Sequence, residues 1–253
     1  MDVVDLHAPI GRTAPYTANR VVALFRAMFN KARYEWEWKG ENAAERIKKL
    51  REVSRVRFLR PDELPPFFKA LAAEPNQAIR DFVLLSLLAG ARQGNVLAMR
   101  WDDVNLERRI WSIPQTKIGE PLEVVLAPEA VEILLRRMHT QPKDSRWVFP
   151  GKGKGEHLVG VRMAWARIRR AAGLRDLRLH DLRRTLGSWQ AAAGSSLLII
   201  GPSLGQRRTE TTQIHARLNS NPVRQSVETA TRALVQSAGR FLPGPVENAG
   251  GSA

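Results

Sequence analysis

HDLRR, His180 to Arg184, lies at the head of a segment with helical periodicity over about 181–193 and a natural stop at Gly194. On a helix, His180 and Arg183 are i,i+3 neighbours on one face, so an imidazole and a guanidinium can address the same oxyanion. Alone, such a pair is most often a surface histidine beside an arginine. Its weight comes from its company: AGARQGNVLAMRWDDV at 89–104, TKIGEP at 116–121 and SLGQRRTETTQIHARL at 203–218, in that order.

The rest of the chain says what those segments are for. Among 253 residues, 40 Lys and Arg stand against 25 Asp and Glu, a formal charge of +15. That imbalance calls for a polyanionic partner. The arginines are spread through patterned, core-forming segments and are not gathered in one amphipathic block, which favours nucleic acid over a membrane surface. With no cysteine there is no disulfide framework, zinc finger or thiol catalysis, in keeping with a reducing cytoplasm. The longest apolar run, Phe82 to Ala91, falls well short of a bilayer span, and the first residues carry no signal-peptide core. No membrane association is expected.

Read for organisation, Tyr16 onward gives apolar residues at intervals of three and four, predicting a helix to about Trp38 with Thr17 as its N-cap. A short helix is expected at Asn42 to Leu50. The arginine-rich REVSRVRFLR, 51–60, reads as a linker, and a domain boundary falls near residue 56. Helices follow at Asp62 to Ala73 and Gln77 to Leu88, the second ending at Gly90. RIWSIP at 109–114 and LEVVL at 122–126 are strand-like and joined through a hairpin with Gly119 in its turn. Helices resume at about 128–139, 158–172, 181–193 and 223–238. The tail at 241–253, LPGPVENAGGSA when counted from Leu242, is expected to be disordered.

Two other motifs carry little. GKGKG, Gly151 to Gly155, lacks the Lys-Ser/Thr ending of a phosphate loop and reads as a basic loop. Asp102 and Asp103 are adjacent carboxylates without a third ligand at metal spacing, and read as a solvated turn or cap.

Taken together, the quoted segments resemble the catalytic domain of the tyrosine recombinases, the phage integrase family, of prophage or genomic-island type. AGAR is similar to the family's TGxR and supplies Arg92; RWDDV is similar to the segment that follows it. TKIG corresponds to the hairpin lysine, Lys117, and HDLRR to the family's HxxR, His180 and Arg183. LGQ stands where LGH is usual, and TTQIHARL where TxxYAxL carries the nucleophilic tyrosine. The resemblance implies a mainly α fold with a small antiparallel sheet (α+β). It divides the chain into a partial helical core-binding (SAM-like) segment at 1–56, an integrase catalytic domain at 57–240 and the tail.

It also implies a chemistry on double-stranded DNA. In that reading Arg92 and Arg183 clamp the non-bridging oxygens of a pentacoordinate phosphorus, because planar, permanently charged guanidiniums can do so bidentately. Lys117 protonates the departing 5′ oxygen and His180 assists proton transfer. The tyrosine becomes joined to the 3′ phosphate, and no cofactor or metal is required. Family members work as tetramers on DNA, so a homo-oligomer is implied. The expected C-terminal helix, with Val223, Val227, Ala230, Leu234 and Ala238 on one stripe, is suited either to a neighbouring subunit or to its own core.

The chain departs from the pattern in three places. Gln206 replaces the usual histidine and cannot carry charge or pass a proton. His215 occupies the tyrosine position, and the only tyrosines, Tyr16 and Tyr34, lie near the amino terminus. An imidazole is a competent nucleophile but reaches less far than a phenol, so strand exchange is expected to be impaired, leaving a DNA-binding remnant or decoy as the alternative. Finally, TANRVVALFRAMFNKARYEW resembles only the last part of the core-binding arm, and the remainder of that arm is expected to be missing.

Overall fold

The structure is a computed structural model that describes residues 3–52, 57–114, 121–140, 142, 144–153, 156–205 and 220–238. Lys117, Gln206, His215, the hairpin turn at Gly119 and the tail lie outside the described residues, as do Lys154 and Gly155 of GKGKG. The chain forms two compact units, Met1–Val56 and Arg57–Ala253. It is mainly α-helical with one three-stranded antiparallel sheet.

The first unit pairs α1 (Val3–Thr13) with α2 (Pro15–Glu35). Helix α2 begins two residues ahead of the expected cap: Ala14 is the N-cap, without a side-chain bond, and Pro15 sits where a missing N–H costs nothing. Val3, Val22 and Ala44 form a small core, with Phe25, Phe29 and Ile47 packed on it.

The helix expected at 42–50 is absent, and the hydrogen bonds explain why. Arg26 Nη2 donates to the carbonyls of Ala44, Glu45 and Ile47 at 2.9, 3.2 and 3.2 Å. Asn42 Oδ1 accepts the Ala44 N–H at 3.0 Å, and the Leu50 N–H goes to Asn19 Oδ1 at 2.8 Å. Side chains of α2, and Asn42 within the segment itself, take the backbone groups that a helix would have paired internally.

The second unit is built around α4 (Gln77–Ala89), capped by Asn76 Oδ1 on the Ala78 N–H at 2.9 Å. Nearly every residue from Ile79 to Ala89 is buried, as befits a helix that is apolar on all sides. Around it lie α3 (Leu64–Ala72), α6 (Pro128–Thr140), α7 (Arg162–Ala171), α8 (Leu179–Ala192) and α10 (Ser220–Ala238). Two short helices, α5 (Gln93–Leu97) and α9 (Leu197–Ser203), join them. The sheet runs β1 (Val104–Asn105), β2 (Ile110–Ile113), β3 (Leu122–Val125) in that order, with Trp111 opposite Val124.

Two features of this unit bear on the site. Asp81, buried within α4, is paired with Arg136 at 2.6 Å and Arg137 at 3.3 Å, both on α6. Helix α10 turns Val227, Ala230 and Leu234 inward and packs on α8, α9 and α3 of the same unit. Glu228 on α10 meets Arg109 at 2.8 Å, at the start of β2. Among the described residues no helix is long and apolar enough to cross a membrane, and no group of three His, Cys, Asp or Glu is placed to hold a metal.

Candidate functional site

The site begins where α4 stops. Gly90 takes a left-handed conformation, φ 59°, that ends the helix, and a Cβ there would lie 2.7 Å from Leu204 and 2.8 Å from Leu186. Glycine alone suits both the backbone angle and the gap. The turn that follows delivers Arg92 as the N-cap of α5, its carbonyl accepting the N–H groups of Asn95 and Val96 at 2.9 and 3.1 Å. The Arg92 side chain is left partly exposed. Among the described residues it has no hydrogen bond or ion pair.

Helix α8 brings the second cation to the same place. Arg178 is its N-cap, and its N–H bonds the carboxylate of Asp181 at 2.8 Å, three residues on. Asp181, fully buried, also holds Arg184 at 2.8 Å. One turn into α8, Arg183 is 5% exposed, with Nη1 donating to Gly90 O at 2.8 Å and Nη2 donating to Leu204 O. These two carbonyls fix the guanidinium between the end of α4 and the end of α9. They neutralise nothing, and no carboxylate pairs with Arg183 among the described residues.

The electrostatics follow from that arrangement. Burial, and then the charge of Arg92, push the Arg183 pKa down to about 10, so the group is still a cation at neutral pH. His180, at the start of α8, keeps an exposed edge, yet its pKa is held below the ordinary 6.5. Desolvation of the ring contributes most, followed by Arg184; Arg183 and Arg92 act in the same direction and Asp181 opposes them. Two guanidiniums and an imidazole thus share a region that, among the described residues, has a net positive potential. An anion with several oxygens, such as a tetrahedral oxyanion, would supply the missing charge and accept the free N–H groups.

Of the six residues singled out in the sequence, the structure brings together Arg92, His180 and Arg183. The other three lie outside the described residues. Gly205, φ 59°, precedes Gln206, and a Cβ on it would lie 2.4 Å from Leu122 at the start of β3. Asp181 was not singled out, although an aspartate three residues after the N-cap is a recognisable helix-start signal.

The model of the phage integrase family matches residues 57–221, more than half of the chain. The integrase of Salmonella phage P22 is 28% identical over 202 residues, covering 74% of this chain and 50% of that protein. The shufflon-specific DNA recombinase of Escherichia coli is 27% identical over 242 residues, covering 91% and 59%. The chain therefore spans between half and three-fifths of the length of these curated relatives. Among solved structures, a dimer of residues 75–356 of lambda integrase bound to a COC′ core site superposes with a TM-score of 0.63 at 16% identity, covering 86% of this chain and 82% of that one. This last likeness concerns the fold, which is that of a recombinase catalytic domain preceded by helices. With the family model extending from Arg57 across Arg92, His180 and Arg183, the chain belongs to the phage integrase family.

Proposed function

We propose that this protein binds duplex DNA and grips one backbone phosphate with Arg92, Arg183 and His180, and that its strand-transfer chemistry is impaired by His215. The observation that carries the reading is Arg183: a buried cation, held in place by two carbonyls, beside a second arginine and, among the described residues, without a carboxylate. A protein pays heavily to bury a charge so placed unless an anion completes the site. A formal charge of +15 supplies the long-range attraction for DNA, and the relatives named above are integrases and recombinases.

In the intact reaction a hydroxyl oxygen would attack phosphorus, the 5′ oxygen would leave with a proton from Lys117, and the arginines would hold the non-bridging oxygens. His215 offers an imidazole of shorter reach in place of that hydroxyl, and Gln206 offers a hydrogen bond without charge. The first unit, 1–56, acts in this reading as part of the arm that encloses DNA, and copies assemble as tetramers on their site. Helix α10 is spent on its own core in the single chain, so exchange between copies would require its release.

A supercoiled-plasmid assay tests the reading, with the chain as given beside His215→Tyr and Arg183→Ala. The expected result is binding without nicking by the chain as given, relaxation by His215→Tyr, and neither by Arg183→Ala. Nicking by the unaltered chain, lost in Arg183→Ala, would overturn the claim of impairment. Equal DNA binding by Arg183→Ala and the unaltered chain would overturn the phosphate grip.

A further inference from the structure

Thr185 lies one turn beyond Asp181 on α8 and is fully buried. Its hydroxyl donates to Asp181 O at 2.8 Å, an ordinary back-bond within a helix. The same oxygen also accepts the N–H of Leu59 at 2.9 Å, from a residue 126 positions earlier. One further turn along, Trp189 Nε1 donates to Leu59 O at 3.3 Å. Both backbone groups of Leu59 are therefore bonded to side chains four residues apart on the helix that carries His180 and Arg183.

The segment around Leu59 is anchored again on either side. Arg57 Nε donates to Asp176 at 2.9 Å, in the turn leading into α8, and Arg57 Nη2 donates to Glu63 at 2.9 Å. Arg57 is the first residue of the second unit, so residues 57–60 are the stretch by which the chain enters it. Buried bonds of this kind resist stretching, and a displacement of the entering segment is passed to the helix it is bonded to. Arg183 begins two residues before Thr185, and the Asp181 carbonyl that Thr185 engages belongs to the residue after His180.

We propose that Thr185 is a positioning residue, through which the segment entering the catalytic unit, residues 57–60, sets the placement of His180 and Arg183. Trp189 serves the same clip from the next turn. The consequence is that the position of residues 57–60 is coupled to the anion site through Leu59 and the Thr185 hydroxyl. This rests on the reading of Arg92, His180 and Arg183 as an anion site.

The test uses the full chain, with inorganic sulfate as the probe because it remains a dianion across the relevant pH range. The midpoint of His180 is followed by proton NMR, assigned with His180→Gln, and sulfate affinity by titration. In Thr185→Val the His180 midpoint should rise toward that of a free imidazole, and sulfate should bind roughly three- to tenfold more weakly. Thr185→Ser should restore both. Ser86→Ala removes a buried helix hydroxyl that, among the described residues, is bonded only to its own helix, at Phe82 O, and should lower the melting temperature while moving neither readout. If Thr185→Val melts earlier with His180 and sulfate unchanged, the role is structural and the proposal fails. Should Thr185→Val not fold, Trp189→Phe decides: an unchanged midpoint overturns the proposal and a raised one supports it. If the unaltered chain binds no sulfate, the anion-site reading fails, while the His180 midpoint still reports on the clip.

Discussion

Arg137 and Arg183 are each 5% exposed and each has a lowered pKa with burial as the main cause, yet they are placed for opposite ends. Arg137 has everything a buried guanidinium needs: the Asp81 carboxylate, Val148 O at 2.7 Å, and the face of Phe149 with its centroid at 4.6 Å. Arg183 has two carbonyls and a neighbouring arginine. The first is a closed structural set. The second, among the described residues, lacks a counter-charge, and under the proposed function the difference separates a cation kept for the fold from one kept for a ligand.

Removing the charge that closes the first set should have the largest effect. Asp81→Asn strands Arg136 and Arg137 and is expected to cost about 3–5 kcal/mol in a urea unfolding experiment, with sulfate binding by the folded fraction unchanged. Arg183→Met should do the reverse. Sulfate affinity should fall about tenfold or more, while the loss of stability should be smaller than in Asp81→Asn, about 1–3 kcal/mol, because two carbonyls but no carboxylate are left behind. A large loss of stability in Arg183→Met would erase the distinction between the two arginines.

A subtler contrast lies in pH. The folded, unliganded protein disfavours the His180 imidazolium, so its contribution to stability is fully present above the ordinary pKa of 6.5 and is lost as pH falls through that value toward the lower folded one. A bound dianion favours the imidazolium. Sulfate affinity should therefore strengthen as pH falls from 7.5 through the His180 midpoint, and His180→Gln should flatten that dependence; a flat profile in the parent chain would remove His180 from the site. The smallest effect concerns Thr231, fully buried on α10 with a hydroxyl that meets no partner among the described residues. Thr231→Val should stabilise by about 1 kcal/mol in thermal unfolding, the same rule of uncompensated polar groups applied where no ligand is awaited.

What could be read ahead of the structure follows the range of the interactions. Gly90, Gly173 and Gly194 take positive φ values at helix ends, as their positions after periodic segments implied. Helix α1 contains Pro9 and Gly11, α9 contains Gly201 and Pro202, and α5 is only five residues long, so their local signals pointed elsewhere. The false helix at 42–50 has a sound local pattern overruled by Arg26 and Asn19 from α2. In the site, Arg92, His180 and Arg183 were legible because their segments keep a familiar order. The Leu59 clip on Thr185 was not, since nothing near Leu59 in sequence reveals a partner on α8, and the same holds for Asp81 with Arg137.

Arg26 gives the first unit an uncommon kind of cooperativity. The carbonyls of Ala44, Glu45 and Ile47 converge on one guanidinium, so the segment that carries them has no ladder of its own to unravel step by step. It stays while α2 is wound and departs when that helix frays. Its stability therefore follows that of α2, through Arg26 and through the bond from the Leu50 N–H to Asn19.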